Sequence, residues 1–129
     1  MAINENYLKD DAIYLVATLE DTIGEESFQH ITHLATDKKF SPMVSAIAKQ
    51  FARKGRPIDI IMLENGMTDE NLSYRDSVVL FFEEINDGQA VDEIAHHLHS
   101  KKCGVSLCIL CWENLLDEEF ISGRKIVSI

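Results

Sequence analysis

The chain has 129 residues, 46% of them hydrophobic and 26% charged, with a formal net charge of −10. That length suits one domain and is too short for two ordinary ones, and the composition excludes a disordered or fibrous chain. The acid excess disfavours direct contact with nucleic acid, which needs a basic surface.

Other broad classes fall away as quickly. Only 6 Gly and 2 Pro argue against a β-sandwich with many tight turns. Three cysteines, Cys103, Cys108 and Cys111, are an odd and clustered set, unlike a disulfide framework. No basic region followed by an apolar run opens the chain, and no apolar run approaches the ~20 residues of a membrane span. These features lead us to expect a reduced, soluble, cytoplasmic protein with no membrane contact. The charge is uneven: residues 1–66 hold 10 acids and 7 bases, a net of −3, while residues 67–129 hold 12 acids and 5 bases, a net of −7.

In chain order, a first helix is expected from about Asn6 to Ile23. Leu8, Ala12, Leu15, Val16, Leu19 and Ile23 form its stripe, Asn4 or Asn6 caps its start, and Gly24 stops it. A shorter helix from Glu25 to about Asp37 follows, with acids at its positive end and Lys38 and Lys39 at the other. Ser41-Pro42 is a strong start signal for a third helix that ends at Gly55. Its Lys49 and Arg53, with Arg56, form the one concentrated basic patch, which reads as dipole complementarity and pairing with nearby acids ahead of an anion or nucleic-acid contact. The run Ile58 to Leu63, between Pro57 and Gly66, reads as a short buried helix or a short strand, with the flanking residues favouring helix.

Ser73 to Asp87 reads as the clearest amphipathic helix, with Tyr74, Val78, Phe81 and Ile85 as its stripe and Gly88 as its end. Gln89 to about Lys101 forms another helix. Val105 to about Ile121 is the most apolar element, read as a central helix with a strand from Val105 to Cys111 as the alternative. Arg124 to Ile129 is an extended tail. The expected architecture is therefore all-α: one compact bundle, residues 1–129, of about six or seven helices.

Chemistry-bearing clusters are few. Cys103, Cys108 and Cys111, with His96, His97, His99, His30 and His33, hold the inventory of a metal site. The flanking Leu107, Ile109, Leu110 and Trp112 point instead to thiols packed in a core. His96 or His97 near Glu93 invites an acid–base reading, but no nucleophile in a recognisable setting and no phosphate-binding glycine loop accompanies them. We therefore expect no catalytic residue, no metal and no cofactor.

What stands out is the stretch Thr68 to Glu93, with eight acids against the single base Arg75. On the expected helix, Asp76, Leu80, Glu83 and Asp87 share one face, with Glu84 beside them. An apolar anchor ringed by uncompensated charge is the pattern of a partner-binding surface. In size, charge and this acidic surface, though in no motif, the chain resembles the immunity proteins of bacterial contact-dependent growth inhibition systems. The resemblance implies a cognate, basic nuclease toxin domain as partner and carries over no residue; the face expected to meet that partner, Asp76, Leu80, Glu83, Glu84 and Asp87, is read from the helix pattern alone. An acidic phage-type anti-defence protein or nucleic-acid mimic is the alternative. A small enzyme dependent on the histidines or cysteines ranks below both.

Overall fold

The computed structural model describes residues 5–38 and 41–129, and side chains from Tyr7 onward. It is an α/β protein, which overturns the all-α expectation. Four helices, α1 (Glu5–Ile23), α2 (Glu25–Gln29), α3 (Pro42–Arg53) and α4 (Gly88–Ser100), cover the two faces of a six-stranded sheet. The strands are β1 (His33–Thr36), β2 (Asp59–Met62), β3 (Ser77–Ile85), β4 (Gly104–Asn114), β5 (Phe120–Ile121) and β6 (Arg124–Ser128). Their spatial order is β2-β1-β3-β4-β6-β5, all neighbouring pairs parallel except β5 with β6.

The two elements read as central helices are the two central strands. Val78 to Phe82 is an unbroken apolar run, and a run apolar at every position satisfies a period of 3.6 as readily as a period of 2. In a parallel sheet covered on both faces, strands bury alternate residues in opposite directions and so lose the polar alternation that would mark them. Val79 and Phe81 enter the core beneath α1, α2 and α3, while Val78, Leu80, Phe82 and Ile85 enter the core beneath α4. In β4, Cys108 and Leu110 likewise face the first core, and Ile109 and Cys111 the second. The strand alternative over Val105 to Cys111 is thus the one adopted.

Further corrections follow from the same cause. The helix expected over Glu25 to Asp37 stops at Gln29, and His33–Thr36 becomes β1. The run after Pro57 is strand β2. The tail from Arg124 is extended, but as β6, paired with β4 from Cys108↔Lys125 to Cys111↔Ser128. Asp87-Gly88, read as a helix end, is a helix start: the Asp87 carboxylate accepts from the backbone N–H of Gln89 at 3.0 Å and caps α4.

Three helices are where the sequence places them. In α1, Ala12, Leu15, Val16 and Leu19 are buried, and Gly24 closes the helix at φ +89°. Glu5 and Asn6 lie inside α1, and Asn4, the other candidate cap, lies outside the described residues, as does Lys39. The Ser41 hydroxyl accepts from the Val44 N–H at 3.3 Å, with Pro42 at the first helical position of α3. Phe28 of α2 stacks on Phe51 of α3 with ring centroids 5.0 Å apart, which locks the two together over the sheet. No helix among the described residues is long and apolar enough to cross a membrane.

Candidate functional site at the carboxyl edge of the sheet

The topology itself singles out one place. From β1 the chain moves outward to β2, then crosses back over β1 to β3 and continues to β4 and β6. The order reverses between β1 and β3. The segment after β1 leads into α3, on one face, and the segment after β3 leads into α4, on the other. Two loops that part to opposite faces leave a crevice at the carboxyl ends of their strands, which is where open parallel α/β sheets bind ligands.

A cavity of about 670 Å³ lies at that edge. Asp37 and Lys38 come from the end of β1, Glu83, Glu84 and Asn86 from the end of β3, Trp112 and Glu113 from the end of β4, and Ile129 follows β6. Four carboxylates face one ammonium. Glu84 and Glu113 are register partners on adjacent strands, about 5 Å apart at the backbone. By strand alternation their side chains leave the same face of the sheet, a like-charge juxtaposition that costs stability. The Asn86 amide donates to Glu84 at 3.3 Å, and no cation lies within ion-pairing distance of either glutamate among the described residues.

The rim has two fixed parts. The Trp112 indole N–H donates to the Asp11 carboxylate at 3.2 Å, which ties β4 to α1 and holds the ring at the crevice wall. The first turn of α4 is a potential anion site, because its N–H groups point away from the helix. Here Asp87 supplies the anion from within the chain, accepting from Gln89 and, at 3.4 Å, from Ala90. The crevice therefore offers hydrogen-bond acceptors for hydroxyl or ammonium donors, and little for a bare phosphate.

Of the five residues expected to form one partner-binding face, the structure brings three together. Glu83, Glu84 and Asp87 lie at the carboxyl end of β3. Asp76 precedes the amino end of the same strand, roughly 23 Å away along the backbone, and there accepts from the Ser73 N–H at 2.9 Å. Leu80 is 0% exposed and packs in the core under α4, so it is no surface anchor. Asp37, Glu113, Lys38 and Trp112 were missed. Their common signal is position: Asp37 and Glu113, like Glu83, directly follow an apolar run that is a strand.

The other candidate clusters take structural places. All three cysteines are buried, as core packing requires, and burial raises each thiol pKa, that of Cys111 to about 11. His97 Nε2 accepts from the Thr68 N–H at 3.1 Å, His99 Nε2 accepts from Arg124 at 2.7 Å, and Glu93 accepts from Gln89 rather than from a histidine. Among the described residues no three His, Cys, Asp or Glu side chains converge as a metal site would need.

No family model matches the chain, and no curated protein sequence matches it. Among solved structures it is similar to the crystal structure of orotate phosphoribosyltransferase from Aeropyrum pernix, with a TM-score of 0.52 and 15% identity over 88% of this chain and 67% of that one. At that identity the likeness establishes a shared fold, an α/β architecture resembling a phosphoribosyltransferase, and nothing of its chemistry.

Proposed function

We propose that the carboxyl-edge crevice binds a ribose-bearing small molecule, with Glu84 and Glu113 accepting hydrogen bonds from the sugar hydroxyls. The observation that carries this reading is the uncompensated Glu84–Glu113 pair on β3 and β4, one strand over from the β1–β3 junction where strand order reverses. A carboxylate at the end of a strand in a doubly wound sheet is a natural acceptor for a ribose diol. The fold likeness to an orotate phosphoribosyltransferase supports the sugar. The self-capped α4 and the acid excess favour a nucleoside over its phosphate ester. Trp112 and Ile129 supply an apolar wall for the base.

Trp112 is the chain's one tryptophan, so its fluorescence reports the crevice alone. Titration with D-ribose and with D-ribose phosphate, neither of which absorbs in the indole band, is expected to give saturable changes that are stronger for the unphosphorylated sugar. No saturable change with either would refute the reading.

A second reading rests on the same acids. Asp37, Glu83, Glu84, Asp87 and Glu113 with Lys38 alone against them also suit a lysine or arginine presented by a basic protein, such as the cognate nuclease toxin that the immunity-protein resemblance implies. The two readings separate by salt. Association with a basic protein slows steeply as ionic strength rises, whereas binding of a neutral nucleoside changes little.

A further inference from the structure

A second cavity lies at the opposite, amino-terminal edge of the sheet and has a different chemistry. Its volume is about 280 Å³, and no charged side chain lines it. Thr22, Ser27, Ser77 and Ser106 line it, together with Leu107 and Cys108. On a chain of net charge −10, an uncharged concavity walled by four elements is a distinct surface.

An irregularity in β4 builds it. Val78 pairs with Val105 and Leu80 with Ile109, so two steps along β3 match four along β4. The extra residues turn Ser106 inward, to 9% exposure, and push Leu107 out, to 70%. Bulges of this kind re-aim side chains beside functional sites as well as ending strand pairing. Pairing of β6 with β4 begins at Cys108, so among the described residues no strand partner on that side covers Leu107. The Ser106 hydroxyl accepts from the Cys108 N–H at 3.2 Å, which leaves its own proton for another acceptor. The Thr22 hydroxyl donates to the Thr18 carbonyl at 2.7 Å and lies against the Cys108 thiol.

We propose that this amino-edge pocket binds a small uncharged molecule, an apolar body with one hydroxyl or carbonyl group. A charged ligand would lose its hydration here: no charged side chain lines the pocket, and the cation near it, Lys125 opposite Cys108 on β6, is solvent-exposed and so a screened counter-charge. The volume sits just below the ~300–1,000 Å³ of ordinary small-molecule sites, so the ligand is smaller than a drug-sized compound. An exposed leucine at the mouth is covered when an apolar body enters. Burial that raises the Cys108 thiol pKa keeps that wall neutral as well.

Thymol, an apolar ring with one hydroxyl, is the probe, and p-isopropylbenzoate is its charged counterpart. Amide NMR spectra of the whole chain are expected to show saturable shifts at Ser77, Ser106 and Leu107 with thymol, and affinity at least about tenfold weaker for the carboxylate. Ser27→Leu, which fills the mouth, is expected to abolish the shifts. Leu107→Ser, at an exposed position that leaves the fold intact, is expected to weaken binding about fivefold. Absence of saturable shifts, equal affinity for the carboxylate, or unchanged binding by Leu107→Ser would each overturn the proposal; the last decides if Ser27→Leu does not fold.

Discussion

Replacing Glu84 with glutamine removes one of two like charges without changing shape, and it keeps an oxygen for the Asn86 amide that donates at 3.3 Å. The register pairing with Glu113 sets the two backbones roughly 5 Å apart, which is also the order of separation for carboxylates on parallel side chains. Two unit charges at that distance repel by about 0.8 kcal/mol in water. Screening leaves about 0.7 kcal/mol at ~0.01 M salt, about 0.4 kcal/mol at ~0.15 M, and very little at ~1 M. For a chain of this length about 1 kcal/mol corresponds to ~4 °C in melting temperature. Glu84→Gln is therefore expected to raise the midpoint by about 3 °C at low salt and by less than 1 °C at high salt. Glu113→Gln should do the same, and the double variant should gain little more, because each single change already relieves the pair. Thermal unfolding followed by circular dichroism across the salt series is the assay. The binding prediction runs the other way: loss of a charged acceptor is expected to weaken the ribose ligand about tenfold or more. A variant that folds better and binds worse identifies a glutamate kept for its work. A Glu84→Gln protein that is less stable at low salt, or equally stable at every salt concentration, would refute the repulsion argument.

Three further outcomes test the fold. Leu80→Ala is expected to cost about 2–5 kcal/mol in urea denaturation, because the side chain is 0% exposed; a surface anchor would change stability by no more than about 0.5 kcal/mol. Ser41→Ala removes the hydroxyl that accepts from Val44 and is expected to cost about 1 kcal/mol; no loss would mean that α3 needs no cap there. The cysteines should resist a thiol reagent at neutral pH in the folded protein and all react after denaturation. The Cys111 thiol has a pKa of about 11 against an ordinary 9.0, so its contribution to stability is complete below pH 9 and is lost as pH rises to about 11. Denaturation midpoints that stay flat across that range in the wild type, once compared with Cys111→Ala to remove other titrations, would contradict its burial.

The helices α1, α3 and α4 were legible because their signals are local: apolar spacing in α1 and α4, a Ser-Pro start at Ser41, a glycine stop at Gly24. The strands were not, because what makes them strands is non-local. Val78 to Phe82 and Cys108 to Cys111 are apolar throughout since helices cover both faces of the sheet, and such a run carries no period of its own. The error then propagated to the site. A helical reading of Ser73 to Asp87 places Leu80 among Asp76, Glu83 and Asp87, whereas a strand buries Leu80 and sends Asp76 to the far end. Glu83, Glu84 and Asp87 survive as neighbours because they are close in sequence under either geometry. Asp37 and Glu113 join them only through strand order, which no single stretch of sequence encodes.

Recognition of a sugar diol by the carboxyl-edge acids is tested most directly by calorimetric titration of a ribonucleoside beside its dideoxy analogue, which lacks both ring hydroxyls. Two lost hydrogen bonds to charged acceptors are worth about 3 kcal/mol or more, so the dideoxy compound is expected to bind at least about a hundredfold more weakly, with the difference abolished in a Glu84→Gln, Glu113→Gln double variant. Equal affinity for the two compounds, or binding of neither, would contradict the assignment.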